Sequence, residues 1–232
     1  MSELRYAIYF VPAQESPLYQ IGAALLGYDV YTGKRIPFPD GLVLGHNDWL
    51  ALTSEPRIYG FHATLKAPFR LAPGRRAEEV AAHLGTFASA IREPIAMLPA
   101  VRTIGRFAAL VPTEPSPALH RLAADCVLAF DEFRAPLGDD ERRKRLMALL
   151  TARQKENLER WGYPYVFDDF RFHMTLTGPI VPAFQEAVLL CLRDKLGAIE
   201  GREMPVDRIA LLCQPDPGAP FHLIASLPLP AR

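Results

Sequence analysis

One short stretch occurs twice, and both copies must find the same kind of surroundings in any fold the chain adopts. The first is Gly60-Phe61-His62-Ala63-Thr64-Leu65-Lys66 and the second is Arg171-Phe172-His173-Met174-Thr175-Leu176-Thr177. Both read Phe-His-apolar-Thr-Leu and stand nearly half the chain apart, so local low complexity does not explain them. As β-strands, the copies alternate side chains between two faces. Phe61, Ala63 and Leu65 point one way, as do Phe172, Met174 and Leu176, giving each strand a face to bury. His62, Thr64 and Lys66 share the opposite face, as do Arg171, His173, Thr175 and Thr177. Same-face neighbours lie about 6.5–7 Å apart at Cα, within joint reach of one phosphate. Two such strands facing each other would bring together two proton-transfer groups and at least two hydrogen-bond donors.

Paired His-x-Thr motifs in this apolar frame resemble the 2H phosphoesterase superfamily. The wider strings from Tyr59 to Lys66 and from Phe170 to Gly178 are similar to a poorly characterised bacterial branch encoded beside phosphonate-catabolism genes. Phe133 to Leu137 and Trp161 to Tyr165 also fit that branch, so the resemblance spans most of the chain. It implies a bilobal α+β architecture: two antiparallel sheets line a central cleft, helices lie outside, and one motif strand per lobe faces the cleft. It further implies a metal-independent phosphoesterase of the cyclic phosphodiesterase type acting on a small cyclic phosphate or phosphodiester. Processing of RNA ends carrying 2′,3′-cyclic phosphates is one alternative, and a non-catalytic phosphate-binding module is another.

The chemistry of the motif residues fits that expectation. Opening a cyclic phosphodiester needs a base to activate water and an acid to protonate the departing alkoxide. Imidazole serves both roles near neutral pH, so His62 and His173 are the catalytic candidates. Thr64 and Thr175 would donate to the non-bridging oxygens as charge builds there. Lys66 and Arg171 are candidate phosphate ligands, each equally a solvated charge at a strand end. Tyr59, Tyr165, Thr177 and His222 are candidates for the cleft wall. Which histidine is the base, and whether hydrolysis or ligation is favoured, stay open at this level.

Composition narrows the partners. Lys+Arg and Asp+Glu both number 26 in 232 residues, which argues against coating long nucleic acid. A small phosphorylated substrate or a single RNA end needs only a few local cations. The chain has no His-Glu-x-x-His and no paired cysteines, and each His-x-Thr offers one metal ligand per strand, so no metal site is expected. Neither a Walker A loop nor Gly-x-Gly-x-x-Gly is present, so no nucleotide cofactor is implied. The odd set Cys126, Cys191 and Cys213 reads as small core residues in a reducing compartment. No stretch approaches a membrane span, and the expected location is the cytoplasm. Oligomeric state is not legible.

Element signals complete the expectation of a single bilobal domain. A strand and a helix in residues 1–27 pack on one lobe; the helix has Ser16-Pro17 at its start and Gly27 at its stop. The first motif lobe covers about 57–133, a connector about 134–161, and the second motif lobe about 162–232. Residues 28–56 show no periodicity and read either as a functional lid or as a surface connection with a short helix near Trp49. Thr151 to Gln154 is a capping box opening a helix that ends before Gly162. After each motif the order is strand, helix, strand, strand, the mark of a divergent duplication.

Overall fold

Burial in this chain follows the two motif frames: Phe61, Ala63, Leu65, Phe172, Met174 and Leu176 are all in the core, each at most 4% exposed. The computed structural model describes residues 4–230. In chain order the elements are β1 (Arg5–Phe10), α1 (Pro17–Leu26), β2 (Tyr28–Asp29), β3 (Lys34–Arg35), α2 (His46–Leu52), α3 (Ser54–Tyr59) and β4 (Ala63–Phe69). Next come α4 (Ala77–Ala90), β5 (Ala96–Met97), β6 (Pro99–Ile104), β7 (Phe107–Pro112), α5 (Pro117–Ala129), α6 (Asp139–Leu146) and α7 (Ala152–Trp161). The chain closes with β8 (Met174–Thr175), α8 (Gln185–Leu196), β9 (Met204–Pro205), β10 (Arg208–Gln214) and β11 (His222–Pro228). The class is α+β, as expected, and its main strands pair antiparallel.

The principal sheet runs β11-β10-β1-β4-β8-β7-β6. The two sheets expected on either side of a cleft meet edge to edge here, joined through one pairing between motif strands, Ala63 with Met174. The sequence-contiguous lobes are interleaved as well. The β10–β11 hairpin, which follows the second motif, lies on the side of the first motif strand. The β6–β7 hairpin, which follows the first motif, flanks the second motif strand. The helix after each motif stays on its own side, α4 against β10 and β11 and α8 near β6.

Local chemistry explains the element ends. Ser16 accepts from the Tyr19 amide at the start of α1, and Gly27 ends that helix in the left-handed region at φ 71°. Thr151 and Gln154 form the reciprocal capping box at α7. Residues 28–59 form a pinned connection. Trp49 is fully buried and donates its indole N–H to the Leu25 carbonyl. Arg57 is also buried and donates to the carbonyls of Leu26 and Leu50, closing the C-terminal ends of α1 and α2. Asp29 accepts from the Tyr19 hydroxyl, the Tyr31 amide and the Thr32 hydroxyl. These bonds satisfy polar groups that a mobile lid would release to water, so the segment matches the surface-connection reading. Among the described residues no helix is long and apolar enough to cross a membrane.

Candidate active site

The single Ala63–Met174 pairing sets the geometry of the site. Ala63 and Met174 point into the core, so the residues flanking them point the other way. Extending the antiparallel register by one residue in each direction sets His62 opposite Thr175 and Thr64 opposite His173. Directly opposed side chains stand about 4.5–5.5 Å apart at Cβ. Continued on that register, the four motif residues fall on one face of the sheet as a square, and His173 is near enough to His62 to influence its protonation.

Each imidazole is held the same way. His62 Nδ1 lies 2.9 Å from the Gly60 carbonyl, and His173 Nδ1 lies 2.7 Å from the Arg171 carbonyl. A carbonyl only accepts, so Nδ1 carries the proton in both rings and Nε2 is left as the base. His62 Nε2 takes a hydrogen bond of 3.1 Å from the Thr64 hydroxyl. Gly60 makes its carbonyl available through a backbone that suits glycine, at φ 71°, and a Cβ there would overlap Val30.

Burial sets the protonation state. Desolvation lowers the pKa of His62 to about 4; the Gly60 carbonyl opposes this, and the nearby His173 adds a smaller lowering. Desolvation likewise lowers the pKa of His173 against the raising effect of the Arg171 carbonyl. At neutral pH both rings are uncharged in the free protein, and either can accept a proton. A dianionic group brought between them would favour the protonated form of one ring.

The aromatic wall is mostly on the first-motif side. Tyr9 in β1 stacks on His62 with ring centroids 3.8 Å apart and planes 25° from parallel. Tyr59 lies 6.3 Å from His62 and stacks on Phe221 at 5.5 Å. Phe107 is 5.9 Å from His173. Of the expected wall residues, Tyr59 is the one whose ring lies near His62 among the described contacts. Tyr165 is exposed and packs edge-on against Tyr163. Arg171 is exposed, and its carbonyl lies against His173 Nδ1.

Three expected members lie elsewhere. Lys66 does not share the face of Thr64. Tyr9 pairs with Thr64 and Ile8 with Lys66, so two residues of β4 oppose one step of β1, a bulge that turns Lys66 toward the helices. Its ammonium is buried against the Val127 carbonyl at 3.0 Å and Asp131 at 3.1 Å. Thr177 is fully buried. It accepts from the Ala108 amide and donates to the Gly178 carbonyl, which makes it a lock between β7 and the chain after β8. His222 pairs with Cys213, which pairs with Tyr6, and β1 alternates regularly from Tyr6 to Tyr9. That row lies on the face opposite Tyr9, so His222 is not in the site.

A Thr177→Val substitution should therefore lower stability by about 1–3 kcal/mol, the cost of leaving the buried Ala108 amide unsatisfied. Ligand affinity should not change. Chemical denaturation and calorimetric titration of the same variant check both halves.

Tyr9 was not foreseen. In sequence it is one aromatic in an apolar strand, and only its register against Thr64 places it beside His62. Among the described residues no group of three or more histidine, cysteine or carboxylate side chains is arranged as a metal-binding cluster.

Two curated relatives bear on the reaction. One from Janthinobacterium sp. (strain Marseille) is 36% identical over 229 residues, covering 95% of this chain and 49% of the relative. The other, from Laribacter hongkongensis (strain HLHK9), is 34% identical over 225 residues, covering 95% of this chain and 50% of the relative. Both are named ribose 1,5-bisphosphate phosphokinase PhnN. The chain thus spans about half the length of the curated relatives it matches.

These names correct the expected reaction, both the cyclic-phosphodiesterase-type hydrolase and its RNA-end and binding-module alternatives. They belong to a kinase acting on a sugar phosphate. The motif chemistry allows that correction, because an imidazole that can deprotonate water can equally deprotonate a sugar hydroxyl; two histidines do not specify the acceptor. The expected link to phosphonate metabolism agrees with the PhnN name. A family model matches residues 64–222, from the threonine of the first motif through the whole of the second, and on that match the chain belongs to the family described as "Protein of unknown function (DUF1045)".

Proposed function

We propose that this chain is the sugar-phosphate-handling part of an enzyme of phosphonate-linked ribose phosphate metabolism. It holds a phosphorylated ribose against the His62–His173 face and moves a proton at the acceptor oxygen during phosphoryl transfer. The observation that carries the reading is the matched anchoring: two imidazoles, each held through Nδ1 to a carbonyl two residues back, with His62 Nε2 on the Thr64 hydroxyl, a bond that a ligand would replace. Phosphoryl transfer asks the protein chiefly for positioning, charge stabilisation and a residue that accepts the nucleophile's proton. The motif residues supply the last of these; the Thr175 hydroxyl is a donor for phosphate oxygens, and the Thr64 hydroxyl becomes one when His62 Nε2 turns to the ligand. The relatives' name supports ribose 1,5-bisphosphate as the ligand. Without a Walker A loop, the chain is assigned the acceptor side of the transfer and not the nucleotide side. On this reading the paired motifs also make the site a member of the 2H superfamily in architecture, with the reaction differing from the hydrolysis that name suggests.

The test is calorimetric titration of the purified chain with ribose 1,5-bisphosphate and ribose 5-phosphate, with phosphorus NMR of the same mixtures with and without ATP. Saturable binding that His62→Ala and His173→Ala each weaken or uncouple from turnover is the expected result. Absence of binding to either ribose phosphate would overturn the reading.

A further inference from the structure

The Tyr9 hydroxyl and Arg145 Nε are buried polar atoms without a hydrogen-bond partner among the described residues. Tyr9 is fully buried, and its ring covers His62. An unpartnered buried hydroxyl costs about 1–3 kcal/mol, so a native fold that keeps one calls for an explanation at that spot. The surroundings are aromatic and cationic. Arg145 lies over the Tyr163 ring at 5.1 Å, and Tyr59 and Tyr163 are near enough to Tyr9 to raise its pKa further. Burial is the main cause of that rise, which keeps the phenol protonated and able to donate. Arg5 and Arg145 both bring positive charge toward Tyr9. Arg5 is already engaged, donating to Gln214 and lying over Phe221. Besides the Tyr163 ring, Arg145 holds Glu141 through Nη2 at 2.8 Å.

Arg145 also differs from its neighbours on α6. Arg142 and Arg143 have side chains 46% and 75% exposed and pair with Glu159 and Asp140, whereas Arg145 is only 18% exposed. No residue of this helix is a core residue, and Arg145 turns inward onto the Tyr163 ring with Nε unpaired.

We propose that Tyr9 and Arg145, walled by Tyr59 and Tyr163, form a second anion subsite beside the histidine pair, so that the site takes a doubly phosphorylated ligand. One phosphate meets the His–Thr square, and the other accepts from the Tyr9 hydroxyl and Arg145 Nε. Arg145 suits the role because its planar fork can hold Glu141 through Nη2 and still present Nε. This inference rests on the sugar-phosphate reading for the sugar, but not for the subsite.

The experiment uses two pairs of ligands and three variants of the full chain. The pairs are ribose 1,5-bisphosphate with ribose 5-phosphate, and the sugar-free 1,3-propanediol bisphosphate with propyl phosphate. The wild type should bind each bisphosphate about 10–100-fold tighter than its monophosphate, the scale of one or two hydrogen bonds to a charged group. Tyr9→Phe keeps the ring on His62, and Arg145→Gln changes a helix with no core residue. Each should erase most of the bisphosphate preference, read as the ratio of the two affinities within each pair. Glu141→Gln frees Arg145 and should hold or enlarge the preference. If the sugar-free pair shows the preference and the ribose pair does not bind, the subsite stands and the ribose reading falls. If neither bisphosphate exceeds its monophosphate, or if Tyr9→Phe and Arg145→Gln weaken both members of a pair equally, the subsite is overturned.

Discussion

On the proposed sugar-phosphate reading, His62→Ala and His173→Ala are each expected to slow conversion of the phosphorylated ribose, measured with the nucleotide-binding side supplied, by about 10²–10⁴-fold, the usual worth of a positioned acid or base. Both variants should remain folded, since neither ring shares the face of the apolar motif residues, though His62→Ala also removes the ring on which the buried Tyr9 stacks. The larger effect should fall on whichever ring accepts the acceptor proton, and pH tells which. His62 is held down to about 4 and His173 is lowered as well, both chiefly by burial. A base works in its neutral form, so activity should persist at acid pH where an ordinary imidazole is already charged. With His62 as base, the acid limb of kcat/KM should fall near 4 rather than near the unperturbed value of about 6.5. An acid limb at or above the unperturbed value would exclude the free, buried His62 as the base. Either histidine variant converting substrate at the wild-type rate would remove that residue from the mechanism. Because the two rings influence each other, the limbs describe the pair.

The motif residues were legible because they repeat. A single His-x-Thr says little, but the repeated apolar frame fixed the buried face of each strand, and Phe61, Leu65, Phe172 and Leu176 obey it. Capping chemistry was equally readable: Ser16, Gly27 and the Thr151–Gln154 box fall where the helices begin and end. These signals are local, carried by hydrogen bonds within a few residues. The exchange of hairpins between the two halves of the sheet was not legible, since strand order depends on long-range pairing that period-2 patterns do not encode. Both motif copies read as strands, but in the second only Met174–Thr175 form a strand.

The site members that went astray did so for the same reason. Period-2 alternation assigned Lys66 to the face of Thr64, and one bulge between Leu65 and Lys66 is enough to defeat it. His222 and Thr177 lie on strands or loops whose facing is set by partners distant in sequence, Cys213 and Ala108. Tyr9 was missed in the opposite sense. An aromatic in an apolar strand reads as core, and Tyr9 is core by burial; its role comes from the ring it covers and from a hydroxyl that the fold leaves unpaired.

The bulged lysine supplies the second large effect. Asp131→Ala should lower the unfolding free energy by about 3–5 kcal/mol, since it leaves the Lys66 ammonium buried without its counter-charge. The side chains are 4% and 24% exposed, so water can replace the carboxylate only in part, which favours the lower end of that range. Burial lowers the pKa of Lys66 more than Asp131 raises it, so the lysine depends on this partner for its charge. Asp131 itself is raised by burial, but the hydrogen bonds and charges of Arg134 and Lys66 outweigh this and hold its carboxyl below the usual value. A carboxyl depressed in the fold contributes stability above its unfolded pKa and loses it as pH falls through the folded value. Wild type and Asp131→Ala should therefore converge in stability under acid conditions and separate toward neutral pH. Lys66→Met should behave differently. It removes the buried charge, leaves Asp131 paired with Arg134 at 2.7 Å, and should change stability by no more than about 1–2 kcal/mol in either direction. Affinity for phosphorylated ribose should be the same in Lys66→Met as in the wild type, because the bulge has turned this side chain away from the histidine face. A tenfold loss of affinity in Lys66→Met, with stability intact, would instead return Lys66 to the ligand and show that the strand straightens when the site is filled.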